Sequence, residues 1–254
     1  MGVWRKMKVY LSHGLGVNSW ALYLYLIEQG EIPGEDFEAV AVNHHTDWPE
    51  SYEYLEMMLA KGYPVTVIEV NFEGHSSIYE YCWDRRIMPS RQLRWCTYRF
   101  KAQPITKYYR APGIELVGFD VSEISRAKGM KEKDGITQEY PLIEAGIDRQ
   151  GCINLIRRHG LPVPQKSGCF ICPFQSRTLW IELRERHPEL FCKAQQLERL
   201  TNERRASQGK APIYFRDIPL GDLIQVKDSR GRRATPGQTE MFDSHDRPPC
   251  RCGL

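Results

Sequence analysis

Residues 7–30, MKVYLSHGLGVNSWALYLYLIEQG, narrow the choice of fold more than any other stretch. Residues 7–12 alternate apolar and polar as a strand does. HGLGVNS then supplies a glycine turn, and the apolar residues after it recur at helical spacing. The succession repeats along the chain. EAVAV (38–42) reads as a second short strand, SYEYLEMMLAKG (51–62) as a helix ended by Gly62, and PVTVIEV (64–70) as a third strand rich in β-branched residues. IELVGF (114–119) is a further strand. Strands alternating with helices require right-handed crossovers, so the expected fold is α/β, a doubly wound and mostly parallel sheet.

The pattern changes after about Gly135. GCINLIRRHGLP reads as a short helix, and residues 177–206 read as helical with an interruption near Pro188. From about Pro212 the chain carries turn residues and charges with little periodicity. The expected organisation is a nucleotide-binding α/β core over 1–135, a helical cysteine-containing region over 136–211 packed on it, and an irregular tail over 212–254. With 41% hydrophobic and 26% charged residues, the 254-residue chain has the composition of a soluble globular protein. It lacks an apolar run of the ~20 residues a membrane helix needs and a stretch of signal-peptide character. No membrane partner and a cytoplasmic location are therefore expected.

Net charge is only +3, but the basic residues cluster. Between Glu80 and Lys133 stand twelve Lys and Arg against six Asp and Glu, and between Arg199 and Arg233 nine against four. Such patches attract phosphates, on a nucleotide or on a nucleic acid, although a solvated Arg-rich surface has the same composition. Eight cysteines without a secretory signal argue against a disulfide framework and for metal ligands or catalytic thiols.

A strand that turns through glycines into a helix gathers backbone N–H groups and the positive helix end around an anion. SHGLGVNS offers Ser12, Gly14, Gly16, Asn18 and Ser19 for this. It is neither the G-x-G-x-x-G of dinucleotide folds nor the G-x-x-x-x-G-K-[ST] of P-loop NTPases. His44 and His45 follow the second strand. Neighbouring residues there point to opposite sides, which predicts one packed histidine and one near the bound group.

GLGVNS resembles the SGGxDS loop of the N-type ATP pyrophosphatases (the PP-loop superfamily). With the preceding SH it is similar to the S-x-G-G-G-V-N-S form of the phosphoadenosine phosphosulfate (PAPS) reductase family. HTDWPES (45–51) resembles that family's D-T-G-x-x-x-P-E-T segment, and LRWCTYRFKAQPI (93–105) its R-x-C-T-x-x-x-K-x-x-P motif. GFDVSEISRA (118–127) resembles its G-x-x-x-x-E-x-x-R-A segment, and KSGCFICPF (166–174) its K-S-G-C-x-x-C-P motif. The five stand in the family's order and span Ser12 to Phe174. Val17-Asn18 stands where the family has Lys-Asp, and His45-Thr46-Asp47 where it has Asp-Thr-Gly.

The resemblance implies an adenine nucleotide alpha hydrolase-like fold and a PP-loop that binds ATP with Mg²⁺, or PAPS. It implies that Ser12, Gly14, Gly16, Asn18, Ser19, Asp47, Glu50 and Arg94 hold the nucleotide, with Asn18, Lys101 and Arg126 acting at the reacting phosphates. The nearest members are iron–sulfur proteins of the DNA phosphorothioation type. Cys96, Cys169 and Cys172 fall inside matched motifs, and Cys152 is the natural fourth ligand of a [4Fe–4S] cluster, with zinc as the alternative metal. Cys82 and Cys192, among apolar residues, are expected to be buried or inert.

Two activities follow from the resemblance. One is sulfur transfer, in which an acceptor such as a nucleic acid is adenylated with release of pyrophosphate and then takes sulfur from a donor. The other is reduction of PAPS or APS by Cys252 with thioredoxin as partner, since RCGL partly resembles the reductases' catalytic tail. A third reading is a non-catalytic, metal-containing nucleic-acid-binding protein. The acceptor, the donor, the roles of Cys250 and Cys252 and any homodimer are left open by the sequence.

Overall fold

The computed structural model describes residues 7–127, 132–216 and 218–223. In chain order its main elements are β1 (Lys8–His13), α1 (Val17–Glu28), β2 (Glu38–Asn43), α2 (Pro49–Ala60), β3 (Thr66–Glu69) and α3 (Ile78–Arg85). After α4 (Trp95–Thr97) come a π-helical turn (Tyr98–Ala102), α5 (Gln103–Tyr108), β4 (Gly113–Val117), a 3₁₀ turn (Val121–Glu123) and α6 (Ile124–Ala127). Then follow β5 (Glu132–Lys133), β6 (Ile136–Glu139), α7 (Pro141–Glu144), α8 (Arg149–Arg158), α9 (Arg177–Arg186), α10 (Pro188–Ser207) and α11 (Leu220–Leu223).

Two compact units divide the chain. The first comprises the residues up to Val70 and Thr97–Ser167; the second comprises Asn71–Cys96 and the described residues from Gly168 on. The sequence pattern placed the end of the α/β core at residue 135, but the first unit continues past it. Its reason is pairing and packing: β6 is a parallel neighbour of β4, and α8 packs on α1.

The first unit is built on a sheet of order β3-β2-β1-β4-β6-β5, parallel except for the short β5. The order reverses between β1 and β4, because β1 leads outward to β2 and β3 before the chain returns to β1's other side. Helix α1 is apolar on all sides, with Trp20, Ala21, Leu22, Tyr23 and Leu24 fully buried. A helix of that kind must be covered all round. It lies on β1, meets α2 through Trp20 and Tyr54, and is covered by α8, whose Arg158 and His159 reach Glu28 at its end. The opposite face of the sheet carries Tyr10, Val40 and Ile136 under Tyr109 at the end of α5. Helices on both faces make the sheet doubly wound, as expected.

In the second unit, Pro188 opens α10 and cannot continue α9, whose last residue is Arg186. Trp180 of α9 packs on Phe191 and Phe215. Glu198, buried in α10, accepts backbone N–H bonds from Phe215 (3.1 Å) and Leu220 (2.9 Å), tying the segment after α10 to that helix. No helix among the described residues is long and apolar enough to cross a membrane.

Candidate phosphate pocket and cysteine turn

The loop after β1 is held from within. The Leu15 N–H donates to His13 Nδ1 at 3.2 Å, and the Gly14 N–H donates to Ser19 Oγ at 3.0 Å. Leu15 adopts φ +55°, a left-handed conformation in which a bulky side chain is strained. Burial of its side chain in the apolar core and the His13 bond hold it there. His13 is itself buried, and burial pushes its pKa down to about 3. The ring is therefore neutral, with Nδ1 accepting and the proton on Nε2, which has no hydrogen-bond partner among the described residues. Gly16 caps α1 with extended backbone, and a Cβ there would come within 2.7 Å of Ser167 Oγ.

In this architecture ligands usually bind beyond the carboxyl ends of the strands. A pocket at these strand ends is lined by Ser12, His13, Gly14, His44, Asp47 and Lys101, with apolar walls from Leu15, Val42 and Ile105. Asp47 Oδ1 stands 3.8 Å from Lys101 Nζ, and its Oδ2 stands 3.4 Å from His44 Nε2. His44 is held below the usual histidine range, chiefly by burial, against the opposing pull of Asp47. A neutral imidazole, a carboxylate and an ammonium thus share one pocket beside the first turn of α1. His44 is the packed histidine, and it also lines the pocket. His45, at φ +47°, turns out to pair with Glu69 at 2.7 Å, its side chain about half exposed.

A second polar cluster joins α1 to the segment after β4. The Asn18 amide N–H donates to Asp120 Oδ2 (2.9 Å) and Glu123 Oε2 (3.0 Å), while its oxygen accepts from Arg149 (2.7 Å). Arg126 pairs with Glu123 and lies 4.0 Å over the Phe119 ring. Gly118 permits the close approach, since a Cβ there would meet Asn18 O at 3.0 Å and Ser19 Cα at 3.2 Å.

Of the residues singled out from sequence, Ser12, Gly14, Asp47 and Lys101 line the pocket, and Gly16 and Ser19 shape its loop. Asn18 and Arg126 belong to the second cluster, and Glu50 lies in the first turn of α2. Arg94 is in the second unit, its guanidinium 5.1 Å from the Phe174 ring.

In the second unit the Cys172 N–H donates to the Cys169 carbonyl at 3.0 Å, so the Cys-x-x-Cys forms a tight turn. The segment carrying Cys96 is fastened to the residues just after that turn: Arg91 donates to the Pro173 carbonyl at 2.7 Å, and Arg94 covers Phe174. Tyr79 of α3 packs on Phe170 between the two cysteines. Cys152 is fully buried in the apolar core of the first unit, with its thiol pushed up to about 12, chiefly by burial. Cys82 is buried in α3, as expected. Cys192, in contrast, is exposed on α10, because its position on the helix turns it away from the core residues Phe191 and Ala194. Cys250 and Cys252 lie outside the described residues.

His13 in the pocket, Glu115 in β4, and Asp120 and Arg149 in the Asn18 cluster were not singled out from sequence. Arg149 stands 131 residues from Asn18, and nothing local in the sequence signals that contact. No family model matches this chain, and no curated protein matches its sequence. Solved structures similar to it include two from different organisms. One is the U34-tRNA thiolase NcsA from Methanococcus maripaludis with its [4Fe-4S] cluster, at 16% identity and TM-score 0.41, over 77% of this chain and 72% of the other. The other is phosphoadenylyl-sulfate (PAPS) reductase from Candida auris in a phosphate complex, at 16% identity and TM-score 0.47, over 62% of this chain and 75% of the other.

Proposed function

We propose that this chain is a sulfur-transfer enzyme of the PAPS reductase and ATP pyrophosphatase superfamily, which binds ATP by its phosphates at the β1–α1 loop. One observation carries the reading. Ser12 and Gly14, Asp47, and Lys101 come from three separate motifs of the sequence, and they line one pocket at the ends of β1 and β2.

In the proposed reaction an oxygen of the acceptor attacks the α-phosphorus of ATP and pyrophosphate leaves. The Lys101 ammonium and the N–H groups opening α1 stabilise the charge that develops on the leaving group. Asp47 keeps Lys101 in place, and the neutral His44 beside it can hydrogen-bond an oxygen without adding charge. Mg²⁺ accompanies the nucleotide and screens its phosphates. The basic residues of the chain suit a nucleic acid as acceptor.

The second unit supplies a donor set that fits an iron–sulfur cluster: Cys169 and Cys172 on one tight turn, with the Cys96 segment fastened beside it. We assign the cluster to these three and leave Cys152 to the core. Held by three thiolates, such a cluster supplies an open iron able to bind sulfur. The test is ATP-dependent pyrophosphate release on anaerobically purified protein, with iron assayed in the same sample. Lys101→Ala should lose at least about tenfold in nucleotide affinity, the order of one charge-assisted contact. Absence of nucleotide binding by the unaltered chain refutes the reading; stoichiometric zinc without iron refutes the cluster.

A further inference from the structure

Beneath the phosphate pocket the sheet buries a carboxyl for which the reaction above has no use. Glu115 is the central residue of β4 and only 6% exposed. Its ladder neighbours are Tyr10 of β1 and Gln138 of β6. Gln138 donates to Oε2 at 2.6 Å, and the Tyr109 hydroxyl donates to Oε1 at 3.2 Å. Ser12, two residues along β1 from Tyr10 and so on the same face of the sheet, lines the pocket and lies one ladder step from the same carboxyl. The groups that face Glu115 are thus Tyr10 and Ser12 from β1, Tyr109 from the end of α5, and Gln138 and Tyr140 from β6 and the residue after it. None is a cation. In the pocket itself, Lys101 and Asp47 stand 3.8 Å apart and offset each other.

A buried carboxylate without a cation is costly, and the neutral acid is the cheaper form. Burial accordingly raises Glu115 above the usual carboxylate range, against the hydrogen bonds from Gln138 and Tyr109 and the nearness of Ser12. The neutral acid has one proton to donate. Gln138 faces it with an amide N–H that can only donate, so the acceptor is a hydroxyl, and the one that lines the pocket is Ser12 Oγ.

We propose that Glu115 is a positioning residue for the phosphate pocket: its protonated carboxyl donates to Ser12 Oγ and so turns the Ser12 hydroxyl proton toward the bound anion. Ionised, Glu115 draws that proton to itself, and Ser12 then presents lone pairs to the phosphate. Anion binding and protonation of Glu115 favour each other, so the chain takes up a proton when a nucleotide binds. The inference rests on the reading that this pocket holds phosphate.

The experiment is isothermal titration of the full chain with ATP, from about pH 5 to about pH 8, in buffers of different ionisation heat. The unaltered protein and Glu115→Gln are compared, so that the ligand's own titration is common to both. The unaltered chain should lose affinity relative to Glu115→Gln as pH rises, by up to about tenfold per pH unit, and should take up more protons on binding. Ser12→Ala should bind more weakly and lose the excess proton uptake while Glu115 stays in place. At the upper end of that pH range, where Glu115 of the free chain is most ionised, an infrared difference spectrum of the unaltered chain should gain a protonated-carboxyl band when ATP is added, which keeps the test open if Glu115→Gln fails to fold. If ATP binds but the pH profile and proton uptake of Glu115→Gln match those of the unaltered chain, or the band does not appear, Glu115 is only structural and the phosphate reading stands. If ATP does not bind the unaltered chain, both fall.

Discussion

Each unit buries a glutamate, and the two serve different ends. Glu198 in the second unit receives two backbone N–H groups, a use that fastens chain to chain. Glu115 in the first unit receives two side-chain donors and lies next to a residue that lines a pocket. Both carboxyls are raised by burial. Burial alone therefore does not distinguish a structural acid from a functional one; the partners do. Backbone N–H groups are fixed in direction and fold with the helix they tie down. A serine hydroxyl can rotate, and it can pass a change of protonation to a ligand.

The comparison rests on the frame around each acid, and the largest expected effect is there. Leu22→Ala in α1, the centre of the first unit's core, should cost about 3–5 kcal/mol in urea denaturation. A cost under about 1 kcal/mol would mean that α1 is not the covered helix described here. Glu198→Ala leaves two buried N–H groups without an acceptor and should cost about 2–4 kcal/mol. Glu115→Gln, which keeps size and acceptor at a site that favours the neutral form, should cost under about 1 kcal/mol by the same measurement. Equal costs for the two would erase the contrast drawn between them.

Acid stability sharpens it further. The folded value of His13 lies near 3, against an ordinary value of 6.5, so between those limits the unfolded chain binds more protons. Stability should rise with pH across that window, by up to about 1.4 kcal/mol per pH unit from this residue. The Glu115 contribution has the opposite sign, present at low pH and lost as pH rises through its raised folded value. Melting temperatures below about pH 6 should thus depend less on pH in His13→Gln. Two glycines test the close contacts around α1. Gly118→Ala meets backbone atoms that cannot yield, and it should cost about 1–3 kcal/mol. Gly16→Ala meets only the Ser167 hydroxyl, which can swing away, and should cost less in the same denaturation series.

The succession from β1 to β3 was legible because its signals are local: alternation in strands, an apolar helix, glycine at turns. The break at Pro188 was legible for the same reason. β6 was not, since ITQE buries only Ile136 and is a strand because β4 lies beside it. α3 passed unnoticed although Ser77 and Glu80 stand at capping-box spacing, and the Ser77 hydroxyl does accept from the Tyr79 and Glu80 N–H groups. Around the pocket, the motif residues Ser12, Asp47 and Lys101 were legible by resemblance to a known family. His13, Glu115 and Arg149 were not, because their partners are assigned by burial and by contacts across the sheet or between helices.

Leu15 carries one more consequence. A glycine at that φ would let the loop flex on its own, at an entropic cost each time a ligand ordered it. Leucine instead anchors the loop by a side chain sunk in the core, and His13 latches its amide. The loop is then cooperative with the unit's folding, and its shape exists before any ligand arrives. Amide hydrogens of Gly14 and Leu15 should exchange with solvent as slowly as those of β1, even without nucleotide.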